Sequence, residues 1–458
     1  MMDVAIEPAV TATQLLANWC TDVPRDWSQA CRDGARAAFI DTIAVILAGR
    51  DAQGVAEAGK AALMWGSGAC RTIGGARLPA PSAALVNGTA AHALDYDDVL
   101  DPSLSHPSAP LVPALLALGE ELGASGADCL DAYLVGFEVQ ARLGEAMNVV
   151  HYQRGWHTTL SIGALGTAAA CARLMRLDAD GMQMAISLAT SMAGGSKRQF
   201  GSTAKPLHAG LAARNGIVAA QLAASGMRGI DEPLEGRWGY LDMMAGETAP
   251  GLAGPLAKLG RPPAMEEHGV WLKFYPCCAS THRPVDALRS LSLRPDDVVG
   301  IDAYVSEVAA ANLRYRVPAS PSEARFSLPY CLAVTLADGA PRIDHFTAAA
   351  IGRADLLPLM ERVTMHIAPE LRADKMSGGG AERAWIEVRL ADGTTSRAAV
   401  RAPRGHPRAP LTAEELRDKF IACAGDALTP AQADSALAML ADLESLGRID
   451  TLTAAFCP

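Results

Sequence analysis

Apolar residues recur at three- and four-residue spacing through most of the first 230 positions, the pattern of helices packed on one another. The run WSQACRDGARAAFIDTIAVILAG, Trp27 to Gly49, carries it clearly and ends in a glycine placed as a C-cap. Similar runs follow in PSAALVNGTAAHAL, PLVPALLALGEELGA and ADCLDAYLVGFEVQARLGEAM. A small-residue helix, TTLSIGALGTAAACARLMRL, starts at Thr158, and two more are predicted over 179–195 and 207–226. PLEGRWGYLDMMAGETAPG then reads as irregular surface.

The period changes near residue 270. VVGIDAYVSEVA, RVTMHIAPEL and AWIEVRLADGTTSRAAVRAP alternate or carry β-branched runs, and Asp392-Gly393 stands as a hairpin turn. Helical stretches such as HRPVDALRSLS lie between them. Helical pattern returns at Thr412, with Glu415 at the capping-box position. The fold class predicted is mostly α, with a large all-helical domain and a smaller α+β lid domain. The helical domain takes residues 1–269 and is completed by 409–458. The lid takes 270–408, with a largely antiparallel sheet.

Composition agrees with a buried, enzyme-like chain. Of 458 residues, half are hydrophobic and a fifth charged, which excludes a disordered protein, and the length favours two cores. The net charge of −10 argues against nucleic acid and anionic membrane as partners. The first residues lack a secretory pattern and no apolar run is long enough to span a bilayer, so a cytoplasmic protein is expected. Ten scattered cysteines form no CxxC, so neither a disulfide framework, a zinc ribbon nor an iron–sulfur cluster is suggested. Walker A, strand-borne GxGxxG, GxSxG, HExxH and EF-hand patterns are all missing, and Gly378–Gly380 reads as a flexible loop without strand–helix context.

Candidate chemistry gathers at four interruptions of apolar sequence. His92 to Pro110, HALDYDDVLDPSLSHPSAP, sets Asp95, Asp97, Asp98, Asp101 and His106 between two apolar helical runs. Buried acids are costly unless paired, hydrated or used. Asp95 beside His106 suits a general acid or base, with the other aspartates shaping the loop. The plain alternative is a solvated loop ending a helix. His157, in GWHTT, stands before a helix, where an anion is favoured. Lys197, Arg198, Lys205 and His208 crowd a basic connector in which Lys205, next to Pro206, is predicted to sit in an extended turn before the next helix. KFYPCCASTH, with Lys273 and His282, falls at the domain junction, a common place for clefts. His282 is a better chemical group than Cys277, which lacks any nucleophile signature. No metal-binding pattern joins these residues.

In this order, NGTAAHALDYDD with HPSAP, GWHTT, FGSTAKPLHAG, KFYPCCASTH and ARFSLPY resemble the MmgE/PrpD family over nearly the whole chain. That family includes 2-methylcitrate dehydratases, cis-aconitate decarboxylases and an iminodisuccinate epimerase. The resemblance implies a homodimer with an active site between helical domain and lid, and no metal or other cofactor. It implies Asp95, His106, His157, Lys205 and His282 as catalytic residues. Arg198, Lys273 and Tyr330 are the candidates for binding substrate. The function expected is a cofactor-independent lyase on a small di- or tricarboxylate, first of all a 2-methylcitrate dehydratase. A decarboxylase or epimerase is the alternative, and a non-catalytic carboxylate-binding protein the rival from another class.

Overall fold

A computed structural model describes residues 10–372 and 383–456. The Gly378–Gly380 loop and the first nine residues lie outside the described residues. The chain is predominantly helical. Helices start where the sequence offers side-chain acceptors to their free amides: Thr11 with Gln14, Ser125 with Asp128, Thr412 with Glu415 and Thr429 with Gln432 form reciprocal capping boxes.

The helices Ala80–His92, Ser108–Leu122, Gly126–Met147, Thr158–Leu174 and Ala204–Ala224 make the centre of the larger lobe. Ala80–His92 and Thr158–Leu174 are buried on every face, which only small and apolar side chains allow. The C-terminal return packs here too. Ala413–Ala424 lies on Gln29–Gly49, and Phe420 and Cys423 enter the same core.

A second apolar cluster holds most of what lies between Tyr275 and Val388. We propose the division into two domains, near residues 270 and 408, on the ground of these two clusters. The first lobe also carries a short ladder, β1 (Cys70–Arg71) with β2 (Arg77–Leu78). The second is built on β3 (Val298–Val305), β4 (Val363–Ile367), β5 (Ala384–Leu390) and β6 (Thr395–Val400), in the order β4-β3-β5-β6. β5 and β6 form the expected hairpin, with Gly393 at φ +85 and the Asp392 carboxylate accepting from the Thr394 amide. The sheet is mixed where an antiparallel one was expected: β3 and β4 run parallel, since a long helical crossover joins them. The helices Ala279–Ser290 and Leu328–Asp338 pack on each other, the first of them also against β5 and β6.

Gly49 does not cap its helix. It is the last helical residue, and a Cβ there would collide with the Ala90 carbonyl, so glycine serves close helix approach. Among the described residues no helix is long and apolar enough to cross a membrane.

Candidate active site

Two glycines set the site. Gly88 and Gly210 bring Ala80–His92 and Ala204–Ala224 to backbone contact, for a Cβ on Gly88 would stand 2.9 Å from the Gly210 Cα. The end of one helix, His92, thereby meets the start of the other. Lys205 lies in the first turn of that helix and not in an extended turn before it. Pro206 is tolerated there because first-turn amides have no intrahelical partner to lose.

From this corner Lys205 Nζ reaches His92 Nε2 at 2.8 Å and Asp95 Oδ1 at 3.0 Å. Lys273, fully buried, donates to the same Asp95 Oδ1 and to the Asp95 carbonyl, both at 2.8 Å. Asp95 is therefore the anion that gathers two lysines. Burial opposes its ionisation, yet Lys205 and Lys273 hold its carboxyl far below the usual carboxylate range. Burial likewise works against Lys273, and Asp95 with Asp97 outweighs it to raise that amine.

Asp97 orients the imidazoles. Its Oδ2 is 2.7 Å from His92 Nδ1 and 3.2 Å from His106 Nδ1, whereas His106 Nε2 is 3.9 Å from Asp95. His106 Nδ1 also lies 2.8 Å from the Asp98 carbonyl. A ring nitrogen between a carbonyl and a carboxylate carries the hydrogen, so neutral His106 turns an Nε2 lone pair inward. His92 is fixed similarly, with Nδ1–H to Asp97 and Nε2 accepting from Lys205. Asp98 points away, accepts from the Ser108 amide and hydroxyl, and is pushed well up by burial and by its neighbours Asp41 and Asp97. Asp101 pairs with His406 at 3.0 Å.

His157 ends the loop before Thr158–Leu174 and is 1% exposed. Its Nδ1 is 2.9 Å from His208 Nδ1, and its Nε2 has no partner among the described residues. Burial holds all four imidazoles down: His92 to about 3, His208 to about 4, His106 below its ordinary value and His157 far below it. Lys205 adds to the effect in each.

These groups wall a cleft of about 1860 Å³ along the seam of the two lobes. Asp95, His106, His157 and Lys205 line it from the helical side, and Cys278, Ser280, Asn312 and Phe326 from the other. Lys205 lies 5.3 and 5.2 Å from the ring centres of Phe200 and Phe326, so its ammonium works beside an apolar wall. Tyr152, Asn312 and Ser280 form a hydrogen-bond chain across the seam.

Four of the predicted residues, Asp95, His106, His157 and Lys205, meet in this cleft. Lys273 is not placed to touch a ligand, because both its contacts hold Asp95. His282 is buried behind the wall between the Trp271 and Tyr275 rings, its Nε2 3.2 Å from the Cys277 carbonyl. Tyr330 is wholly buried in the second apolar cluster and donates to the His345 carbonyl. The Arg198 side chain is exposed on the connector. Their segments act through neighbours: ARFSLPY contributes Phe326 and Arg325, whose Nε grips the Leu94 carbonyl at 2.9 Å. His92, Asp97 and His208 escaped sequence reasoning as working groups. His208 follows Lys205 by three positions, a helical spacing that puts both on one face.

His92 and His106 could offer nitrogens to a metal ion, completed either by His157 or by Asp95 and Asp97. The Lys205 ammonium already lies against His92 Nε2, so this donor set is matched to a cation the chain supplies itself.

The model of the MmgE/PrpD N-terminal domain matches residues 14–253 and that of the C-terminal domain residues 275–445. A cis-aconitate decarboxylase of Homo sapiens is 32% identical over 391 residues, 82% of this chain and 79% of the relative. The Mus musculus enzyme of that name is 31% identical over 403 residues, 82% and 78%. One from Aspergillus terreus is 28% identical over 394 residues, 78% and 77%.

Proposed function

We propose that this chain, which belongs to the MmgE/PrpD family, is a lyase that removes CO₂ from a small unsaturated tricarboxylate of the cis-aconitate kind. The first expectation, a 2-methylcitrate dehydratase, has less behind it than its alternative, since the relatives just described are decarboxylases by name.

Such a reaction breaks the bond between a CH₂ carbon and its carboxylate. The electron pair passes through the neighbouring double bond to the carbon beside a second carboxylate, which then takes a proton. The site must stabilise charge at that second carboxylate, keep water from the leaving one and hold an acid. The observation that carries the reading is the contact of one ammonium, Lys205, with both a buried carboxylate and an apolar aromatic wall, beside imidazoles whose free nitrogens face the cleft. Lys205 suits the charge that develops. Phe200 and Phe326 suit the carboxylate that becomes neutral CO₂. His106 and His157 are the proton-transfer candidates, each worth about 10²–10⁴ in rate if used. Lys273, Asp97 and His92 hold the others in place.

Incubation with cis-aconitate, 2-methylcitrate, citrate and iminodisuccinate tests this. Release of CO₂ with a methylene-bearing diacid from cis-aconitate alone is the expected result. Formation of an enoate from a hydroxy acid without CO₂, or deuterium uptake without net product, would instead establish the dehydratase or the epimerase.

A further inference from the structure

His157 and His208 come from different helices, yet their Nδ1 atoms are 2.9 Å apart. At that distance one nitrogen donates and the other accepts, so the two rings share one hydrogen and their tautomers are tied together. The two rings differ in their surroundings. His157 is 1% exposed, lines the cleft, and keeps its Nε2 unpartnered among the described residues. His208 is no part of the cleft wall but retains 8% exposure. It sits under the turn at Gly195, where a Cβ would stand 3.4 Å from its Nδ1 and whose carbonyl accepts from the His157 amide at 2.9 Å. Phe200 packs edge-on against the His157 ring, centroids 5.0 Å apart. Two imidazoles in line thus lead from the cleft to a ring that keeps some exposure away from the cleft wall.

We propose that His208 is a proton relay that loads His157 from solvent while the cleft is occupied. The inference rests on the decarboxylase reading, in which each CO₂ lost is replaced by one proton. At rest the His208 Nδ1–H donates to His157 Nδ1, and His157 turns Nε2–H toward the cleft. Burial and the nearby Lys205 keep both rings neutral. A polycarboxylate in the cleft reverses that field and favours an imidazolium beside it. A solvent proton then joins His208 Nε2, the shared hydrogen moves to His157 Nδ1, and His157 carries the positive charge while His208 is neutral again. When the carbon–carboxylate bond breaks and the pair shifts through the double bond to the carbon beside the second carboxylate, His157 Nε2–H delivers its proton to that carbon. Both rings are then neutral, with the shared hydrogen on His157. Once product leaves, water in the open cleft returns a proton to His157 Nε2, the shared hydrogen passes back, and His208 releases its Nε2 proton to solvent. One proton is consumed per turnover, as the reaction requires.

Turnover of cis-aconitate by the wild-type protein is measured first, so that failure of the substrate reading registers separately. His208→Gln and His208→Phe, which cannot pass a proton, are then expected to lower kcat about 10²-fold, the low end for a placed proton-transfer group, with KM and melting temperature unchanged. Added imidazole should restore kcat to His208→Gln in proportion to its concentration, and the solvent deuterium isotope effect on kcat should rise. An unchanged kcat, or a loss without imidazole rescue and without a larger isotope effect, overturns the relay. Nitrogen-15 spectra of the wild-type imidazoles need neither variant nor substrate. They should show hydrogen on His208 Nδ1 and His157 Nε2 in the resting protein, and hydrogen on His157 Nδ1 instead overturns it.

Discussion

Replacing Asp95 by Asn removes the one negative charge that Lys205 and Lys273 both touch, at 3.0 and 2.8 Å, in a place where Asp95 itself is 3% exposed. At such separations and an effective dielectric constant of about 20, each pair is worth about 5–6 kcal/mol of Coulomb energy, and the measured cost of stranding one member of a buried pair is about 3–5 kcal/mol. Asp95→Asn should therefore lower unfolding stability by about 3–5 kcal/mol and abolish turnover. Lys273→Met strands charge of the other sign and should cost a similar amount. The double variant leaves Asp97 and Lys205, one charge of each sign, so its loss should fall short of the sum of the singles by about 2–3 kcal/mol. Activity should stay absent, because Asn cannot gather Lys205 as the carboxylate does. Denaturant midpoints at pH 7 and cis-aconitate turnover measure the two effects apart. Losses that add to within about 0.5 kcal/mol would show that the lysines do not share Asp95 as a common counter-ion, and would refute the electrostatic account of the site.

Stability should fall on mild acidification. His92, His151 and His208 have folded pKa values near 3, 4 and 4, below the unfolded value near 6.5, so the unfolded chain binds protons first as pH drops. Their contribution is complete above pH 6.5 and is lost below it at about 4 kcal/mol per pH unit for the three, until the folded values are reached. Urea titrations between pH 7 and 5 would read this, and a flat profile would contradict it. Tyr330→Phe should cost about 1 kcal/mol of stability, for the hydrogen bond to the His345 carbonyl, and leave kcat unaltered; a large kcat loss would bring Tyr330 into the site. Asp97→Asn should lower kcat about 10²-fold at unchanged KM and move hydrogens between the nitrogens of His92 and His106, which nitrogen-15 spectra would detect.

The helices were legible because their period and caps are local. The capping box at Thr412 and the hairpin turn at Asp392-Gly393 are each decided within a few residues, and both stand as read. The meeting of Asp95, His106, His157 and Lys205 followed from motif wording, since nothing local in four separate segments dictates their contact. What the sequence could not show is which acid serves which base. Asp95 and Asp97 differ by two positions, and the loop conformation alone turns the first to two lysines and the second to two imidazoles. Lys273 read as a cation for substrate, but its burial makes it a cation for Asp95. Tyr330 and His282 failed to reach the cleft because side-chain direction within a matched motif is set by the packing around it.

The same loop is held by helices from the early and the late part of the sequence. Asp95 holds a left-handed backbone, φ +51, at a cost of about 1–3 kcal/mol for a residue other than glycine. Such a conformation persists only if the surroundings over-determine it. Lys273 takes the Asp95 carbonyl and carboxylate together. Arg325 takes the Leu94 carbonyl just before, and Lys419 the Tyr96 carbonyl just after, at 2.9 Å. Lys419 also binds the Lys273 carbonyl at 2.8 Å and is neutralised by Asp41 at 2.6 Å, so a C-terminal helix, an N-terminal helix and the lid entry close on three consecutive peptide units. The carboxylate that gathers Lys205 is thus aimed by cations from elements more than 170 residues away. A C-terminal return from Ala413 is therefore a structural part of the site, although none of its described residues lines the cleft.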